Sequence, residues 1–176
     1  MTTIHQIHNR QLGSVAIETV CLMPIIMILL FAVIHYSMIF FAASLFDHAA
    51  KESIRQSISY VDEECYFDYS GSGCSDNTVL GNVSQVIRNN ALQVIQGFTH
   101  GEGTSPGQLF GMTLPAADTL ISITTIDSGG CCKVTITLPN YQTTPFLPTS
   151  IIDGLIPGDD SVFPTEITAS AVLKLN

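Results

Sequence analysis

Between Glu18 and Asp47 the chain runs for 28 residues without an Asp, Glu, Lys or Arg, and 23 of these residues are hydrophobic. The hydrocarbon core of a bilayer takes about 20 apolar residues of helix, so a run of this length is expected to cross it. At about 1.5 Å per residue it extends about 42 Å against roughly 30 Å of hydrocarbon, so it must tilt or project from the membrane. A cleaved secretory signal carries an apolar stretch of only about 7 to 15 residues. The run is too long for that and reads as a retained helix. Without it the chain is roughly 39% hydrophobic, an ordinary water-soluble composition. A fully soluble protein and a multi-span transporter are both excluded, and one anchor plus one small domain remains.

The charge lies almost entirely beyond the anchor. From Gln56 onward twelve acidic residues stand against three basic ones, Arg88, Lys133 and Lys174, which accounts for the whole net charge of −9. Such a domain repels a phosphate backbone, so no nucleic-acid partner is expected. Ahead of the run stand Arg10, His5 and His8 with no acid before Glu18, whereas the far flank mixes Asp47 and Glu52 with Lys51 and Arg55. Lys and Arg counts alone do not decide the orientation, with one before the run and two after it; the absence of acid ahead of Glu18 is what favours a cytoplasmic N-terminus and an acidic domain on the opposite side.

The entrance to the apolar run is more specific than the run itself. It reads Arg10-Gln-Leu-Gly13-Ser14-Val-Ala-Ile-Glu18-Thr-Val-Cys-Leu-Met-Pro24. A carboxylate at the start of a membrane helix is expensive unless paired, so Glu18 calls for a partner. Pro24 leaves one backbone carbonyl without its usual donor and permits a bend. The arrangement resembles the N-terminus of type IV pilin-like proteins, in which a short polar leader ends in Gly before a scissile bond, a Glu follows five residues after that bond, and a long apolar helix comes next. Within that superfamily it is most similar to the TadE/TadF-type minor pseudopilins of the tight-adherence (Flp pilus) system, through Arg10, Gly13, Val15, Ala16, Glu18 and Pro24 in order. The motif covers roughly residues 8 to 60. Ser14 stands where ordinary type IV pilins often carry Phe or Met.

The resemblance implies that a prepilin peptidase cuts between Gly13 and Ser14, leaving the α-amino group of Ser14 as a cation at the membrane edge. It implies further that Glu18 pairs with the amino terminus of a neighbouring subunit during assembly and so sets register, which supplies the partner its burial demands. The expected organisation is a cytoplasmic leader over 1–13, a transmembrane helix over 14–46, a periplasmic extension of that helix over 47–60, and a periplasmic head over 61–176. The implied partners are the prepilin peptidase, other pseudopilins, the Flp-type major pilin and the inner-membrane assembly platform.

Polar residues interrupt the apolar run at Cys21, His35, Tyr36, Ser37 and Ser44. His35 is expected as a neutral side chain bonded to a backbone carbonyl or facing another helix, and Cys21 as a small hydrophobe. Ala42, Ala43 and Ser44 form a small-residue patch that permits close helix approach. Beyond the run, Asp47 and Lys51 are spaced for an i,i+4 ion pair.

The expected head is α+β. Residues 62 to 78 read as an acidic loop, and Val83, Val86, Ile87, Ala91, Val94 and Ile95 mark an amphipathic helix over about 82–96 with Gly97 as its stop. Residues 99 to 117 read as a loop. Two strand-like runs, Thr119 to Ile126 and Cys132 to Leu138, are joined by Asp127-Ser-Gly-Gly130, a hairpin turn. A third strand alternates through Ile167, Ala169, Ala171, Leu173 and Leu175, giving a three-stranded antiparallel sheet under one or two helices. The connection over 139–164 carries five prolines with Phe146, Leu147, Ile151, Ile152, Leu155 and Ile156, and is expected to pack over a sheet edge.

Four of the five cysteines, Cys65, Cys74, Cys131 and Cys132, fall in the head. An even number on the periplasmic side suggests disulfides, with three pairings possible. Neighbouring strand residues point to opposite faces and a vicinal ring strains the backbone, which favours bridges from the Cys65–Cys74 loop onto the hairpin at Cys131 and Cys132. A zinc site is disfavoured, since the head has no Cys-x-x-Cys pair and His100 is its lone histidine. Asp153, Asp159 and Asp160 lack the spacing of a calcium loop. No Gly-x-Ser-x-Gly, His-Glu-x-x-His or Gly-Lys-Ser/Thr motif occurs, and His100-Gly-Glu102 is too little for acid–base roles. The expectation is a non-enzymatic protein without cofactor or metal that acts in pilus biogenesis, adhesion and biofilm formation. The competing readings are a minor pseudopilin of a type II secretion or other type IV pilus machine, and a signal-anchored periplasmic binding protein or enzyme.

Overall fold

The computed structural model describes residues 12–61, 76–126, 130–149 and 163–173, with side chains over 16–61, 79–126, 132–149 and 163–173. Outside these lie most of the leader, the greater part of the acidic loop with Cys65 and Cys74, the side chain of Cys131, and the stretch 150–162 with Ile151, Ile152, Leu155, Ile156, Asp153, Asp159 and Asp160. The chain divides into two compact units, Met1–Ser37 and Met38–Asn176.

Helix α1 spans Leu12–Ser57, 46 residues. Its sequence explains its persistence: after Gly13 only Pro24 interrupts a series of side chains compatible with a helix, and in an apolar solvent a helix satisfies every internal backbone donor and acceptor. From Ala16 to Leu30 its side chains are exposed on all sides, Ile17, Val20, Leu22, Met23, Ile25, Ile26 and Met27 among them. A helix apolar all round needs lipid or other helices for a solvent. His35 is buried and its ring stands 6.1 Å from that of Phe31. Ser37 donates back to the carbonyl of Val33 at 2.7 Å, the usual way a helix absorbs a hydroxyl.

The second unit begins within α1. Ala42, Leu45, Phe46, Ala49, Ala50 and Ile54 recur every three or four residues and enter the head's core. Ser53 and Ser57 lie on the same buried face and donate to the carbonyls of Ala50 and Ile54, at 2.9 and 2.8 Å, so their burial leaves no hydroxyl unbonded. A 3-10 turn, Ile58–Tyr60, ends the segment.

Helix α2 spans Asp76–Thr99. It starts about six residues earlier than the periodicity predicts, so residues 76–78 are helical rather than loop, and Gly97 lies inside it. The stop falls at His100, whose φ of 54° is left-handed and whose N–H donates to the carbonyl of Gln96 at 3.0 Å. Val79, Val83, Ile87, Ala91 and Ile95 form its buried stripe, and α2 packs on the sheet through β3 and β4.

The region expected as a loop over 99–117 holds a short antiparallel hairpin, β1 (Gln108–Leu109) with β2 (Met112–Thr113). Its two turn residues, Phe110 and Gly111, both have positive φ, 52° and 84°, the signature of a type I′ turn. A one-turn helix α3, Ala117–Leu120, then occupies positions expected to begin the first long strand. Strands β3 (Ile121–Ile126), β4 (Gly130–Leu138) and β5 (Ile167–Leu173) form an antiparallel sheet in that order. The register pairs Ile123 with Val134 and Val134 with Ala171, and a bulge between Thr124 and Ile126 brings Ile126 opposite Gly130. Cys132, Val134, Ile136 and Leu138 alternate onto the buried face as the period of two requires. The fold is mixed α+β, as the sequence predicts.

Candidate functional site

The site begins at the start of α1. Gly13 and Ser14 stand in its first turn and Glu18 one turn later, exposed on the helix surface. Pro24 is inside the helix, which continues through it. No charged side chain follows Glu18 until Asp47. The structure therefore presents one carboxylate at the entrance of an unshielded apolar rod.

At the far end of that rod the charges return as a ladder. Lys51 donates to Asp47 at 2.7 Å, Arg55 stands 3.2 Å from Glu52, and the amide of Gln56 donates to Glu52 at 2.8 Å. These pairs are solvent-facing, so each contributes on the order of 0.5 kcal/mol or less, and their value is positional. They are the first charges after the apolar run.

The head adds a feature that the sequence does not reveal. Phe41, in the last apolar turns of α1, meets Phe98 at 6.2 Å and Phe110 at 5.5 Å between ring centroids, both edge-on. Phe110 in turn meets Phe146 at 5.1 Å, and Phe146 meets Tyr141 at 5.0 Å. Tyr141 and Phe146 are buried, whereas Phe41, Phe98 and Phe110 remain 42%, 54% and 42% exposed. Edge-to-face pairs of this kind are worth about 0.5–1.5 kcal/mol each beyond their buried area. Sequence reading missed the group because its members come from a membrane-helix end, the last turn of α2 and a hairpin tip. The one available signal was Phe110-Gly111, an unrecognised turn dipeptide.

The loop that carries this hairpin is tied to α2. The Gln96 side chain donates to the carbonyls of Gly103 and Ser105 at 3.0 and 2.8 Å, and the buried Thr99 hydroxyl lies within donor reach of the carbonyls of Ile95 and Pro106. His100 and Glu102 line the same open groove, where His100 serves as the left-handed terminus of α2. Arg88 of α2 is ion-paired to Asp118 of α3. Cys132 is buried in the sheet and half of a disulfide, while Cys21 is a free, exposed thiol in the apolar run. Among the described residues no group of three His, Cys, Asp or Glu side chains is placed to hold a metal ion.

Residues 13–55 match the family model described as TadE-like protein. Over this segment, about a quarter of its length, the chain is similar to TadE-like proteins. The match opens at Gly13, takes in Glu18, Pro24 and the whole apolar run, and closes within the charged ladder. Among the described residues one helix, from Ala16 on, is long and apolar enough to cross a membrane. No curated protein and no solved structure matches the chain.

Proposed function

We propose that the protein is a minor pseudopilin of a tight-adherence pilus system, cut by a prepilin peptidase between Gly13 and Ser14 and acting in pilus biogenesis, adhesion and biofilm formation. The observation that carries this reading is that the TadE-like match begins at the residue expected to precede the scissile bond and runs through Glu18 and Pro24. The bare apolar surface of α1 from Ala16 to Leu30 supports it, since a stretch exposed on every side suits first a bilayer and then a bundle of like helices. In this role Glu18 receives the cationic α-amino group of Ser14 from a neighbouring subunit, and the pair fixes axial register. The head sits in the periplasm, the apolar run of α1 sits in the inner membrane, and the partners are other pseudopilins, the Flp-type major pilin and the assembly platform. The work is assembly rather than catalysis. Disulfides joining Cys65 and Cys74 to Cys131 and Cys132 brace the head against the oxidising compartment.

Intact mass and N-terminal analysis test this reading in cells with and without a prepilin peptidase. The expected product begins at Ser14 only when the peptidase is present. A chain that keeps its Met1 terminus in the peptidase's presence overturns it.

A further inference from the structure

The exposed rings of Phe41, Phe98 and Phe110 form one surface, and their placement identifies what covers it. Phe41 belongs to the apolar run, and Asp47, the first charge beyond it, lies six residues further along α1, about 9 Å by helical rise. The headgroup region on each side of the hydrocarbon is about 5–8 Å thick, so Phe41 falls at the boundary between acyl chains and headgroups. Phe40, 76% exposed, stands at the same level of the helix. Phe98 and Phe110 touch the Phe41 ring, so two parts of the head reach the depth at which the helix leaves the lipid.

Two further observations point the same way. Phe110 holds a left-handed backbone conformation, φ 52°, which is uncommon and strained for a bulky residue, yet its ring remains 42% exposed. That strain projects an aromatic side chain from the tip of a turn where Asn or Gly would be easier. Beside it, Phe41, Ser44, Leu45, His48 and Phe98 line a shallow groove on the same face.

We propose that Phe41, Phe98 and Phe110 seat the head on the periplasmic surface of the bilayer, their rings entering at the boundary between headgroups and acyl chains. The seating rests on the reading of α1 as a membrane anchor. It holds the head in one orientation on the membrane before assembly, and the same rings are released when the subunit leaves the lipid. The binding is apolar insertion, because the head carries a net negative charge and gains nothing from anionic headgroups.

The natural chain has no tryptophan, so single substitutions report unambiguously. Phe98→Trp and Phe110→Trp would be introduced separately into the full chain and reconstituted in phosphatidylcholine vesicles with or without phosphatidylcholine brominated in the upper acyl chain, and Ile28→Trp with the same lipid brominated near the chain ends. Ile28→Trp, inside the apolar run, and Val172→Trp, exposed on β5, are the reference sites. Both phenylalanine sites and Ile28→Trp should lose about half or more of their emission to the bromolipid, while Val172→Trp keeps its own. Quenching at Ile28→Trp without quenching at either phenylalanine site overturns the seating and leaves the anchor intact. Emission that is blue-shifted but unquenched at positions 98 and 110 also overturns it, because it shows protein rather than lipid over the rings. An unquenched Ile28→Trp overturns the anchor and the seating together.

Discussion

The buried ring of Tyr141 stands 5.0 Å from that of Phe146 at 63°, and its hydroxyl oxygen accepts the backbone N–H of Phe146 over a long 3.5 Å. Burial pushes the Tyr141 phenol above its ordinary 10.0, and the Phe146 N–H offsets part of that rise by favouring the phenolate. The unfolded chain therefore gives up this proton at lower pH than the folded one. Its contribution to stability is complete below about pH 10 and is lost as pH rises from there through the folded value. Tyr141→Phe should flatten the alkaline limb of a stability–pH curve and change stability near neutrality by about 1 kcal/mol or less. Denaturant titrations across the alkaline range check this, and an unchanged alkaline limb would refute it.

Phe46 and Phe40 lie six residues apart on α1 and should behave oppositely. Phe46 is wholly buried in the head core, whereas Phe40 is 76% exposed. Phe46→Ala should cost roughly 3–5 kcal/mol, as large core truncations do. Phe40→Ala should fall within about 0.5 kcal/mol in detergent micelles. Equal losses in chemical unfolding of the two variants would mean that α1 does not pack in the head as described.

Gly101 and Gly81 make a second contrast. A Cβ on Gly101 would lie 2.3 Å from the Ser105 carbonyl oxygen and 2.8 Å from the Gly107 nitrogen, both backbone atoms unable to retreat cheaply. A Cβ on Gly81, within α2, meets nothing within 4 Å. Gly101→Ala should destabilise the head by about 1–3 kcal/mol, and Gly81→Ala should stabilise it by up to about 1 kcal/mol. Melting temperatures moving in the same direction would contradict this account of the loop.

Glu18→Ala removes the only carboxylate at the entrance of α1 and leaves Gly13 and Ser14 in place. Cleavage by a prepilin peptidase should proceed, while incorporation into filaments should fall about tenfold or more, as expected for one lost buried ion pair. Quantifying the processed protein in purified pili checks it. Normal incorporation of the variant would remove the pairing role.

Much of the architecture was legible because its signals are local. The 28-residue apolar run and the alternation through β4 and β5 each reveal themselves within about ten or twenty residues, whereas the Asp127–Gly130 turn expected between β3 and β4 lies largely outside the described residues. The errors fell where tertiary contacts overrode local signs. Gly97 looks like a helix stop, yet α2 passes through it because the buried Ile95 and Thr99 hold the last turn in place. The hairpin at Gln108–Thr113 was hidden because two-residue strands are too short for any period to show.

The sequence by itself determined that this chain has a long apolar helix and an acidic α+β head, and placed Gly13, Glu18 and Pro24 at a pilin-like spacing. Those are statements about charge, length and period, which a chain carries whether or not it is folded. Only the tertiary structure decided that Ala42, Phe46 and Ala49 of the anchor helix enter the head's core, and that Phe41, Phe98 and Phe110 converge on one face. Residues 41 and 110 are separated by 68 others. Their meeting depends on the closure of α2, its loop and the sheet together, a long-range packing outcome that no local pattern encodes.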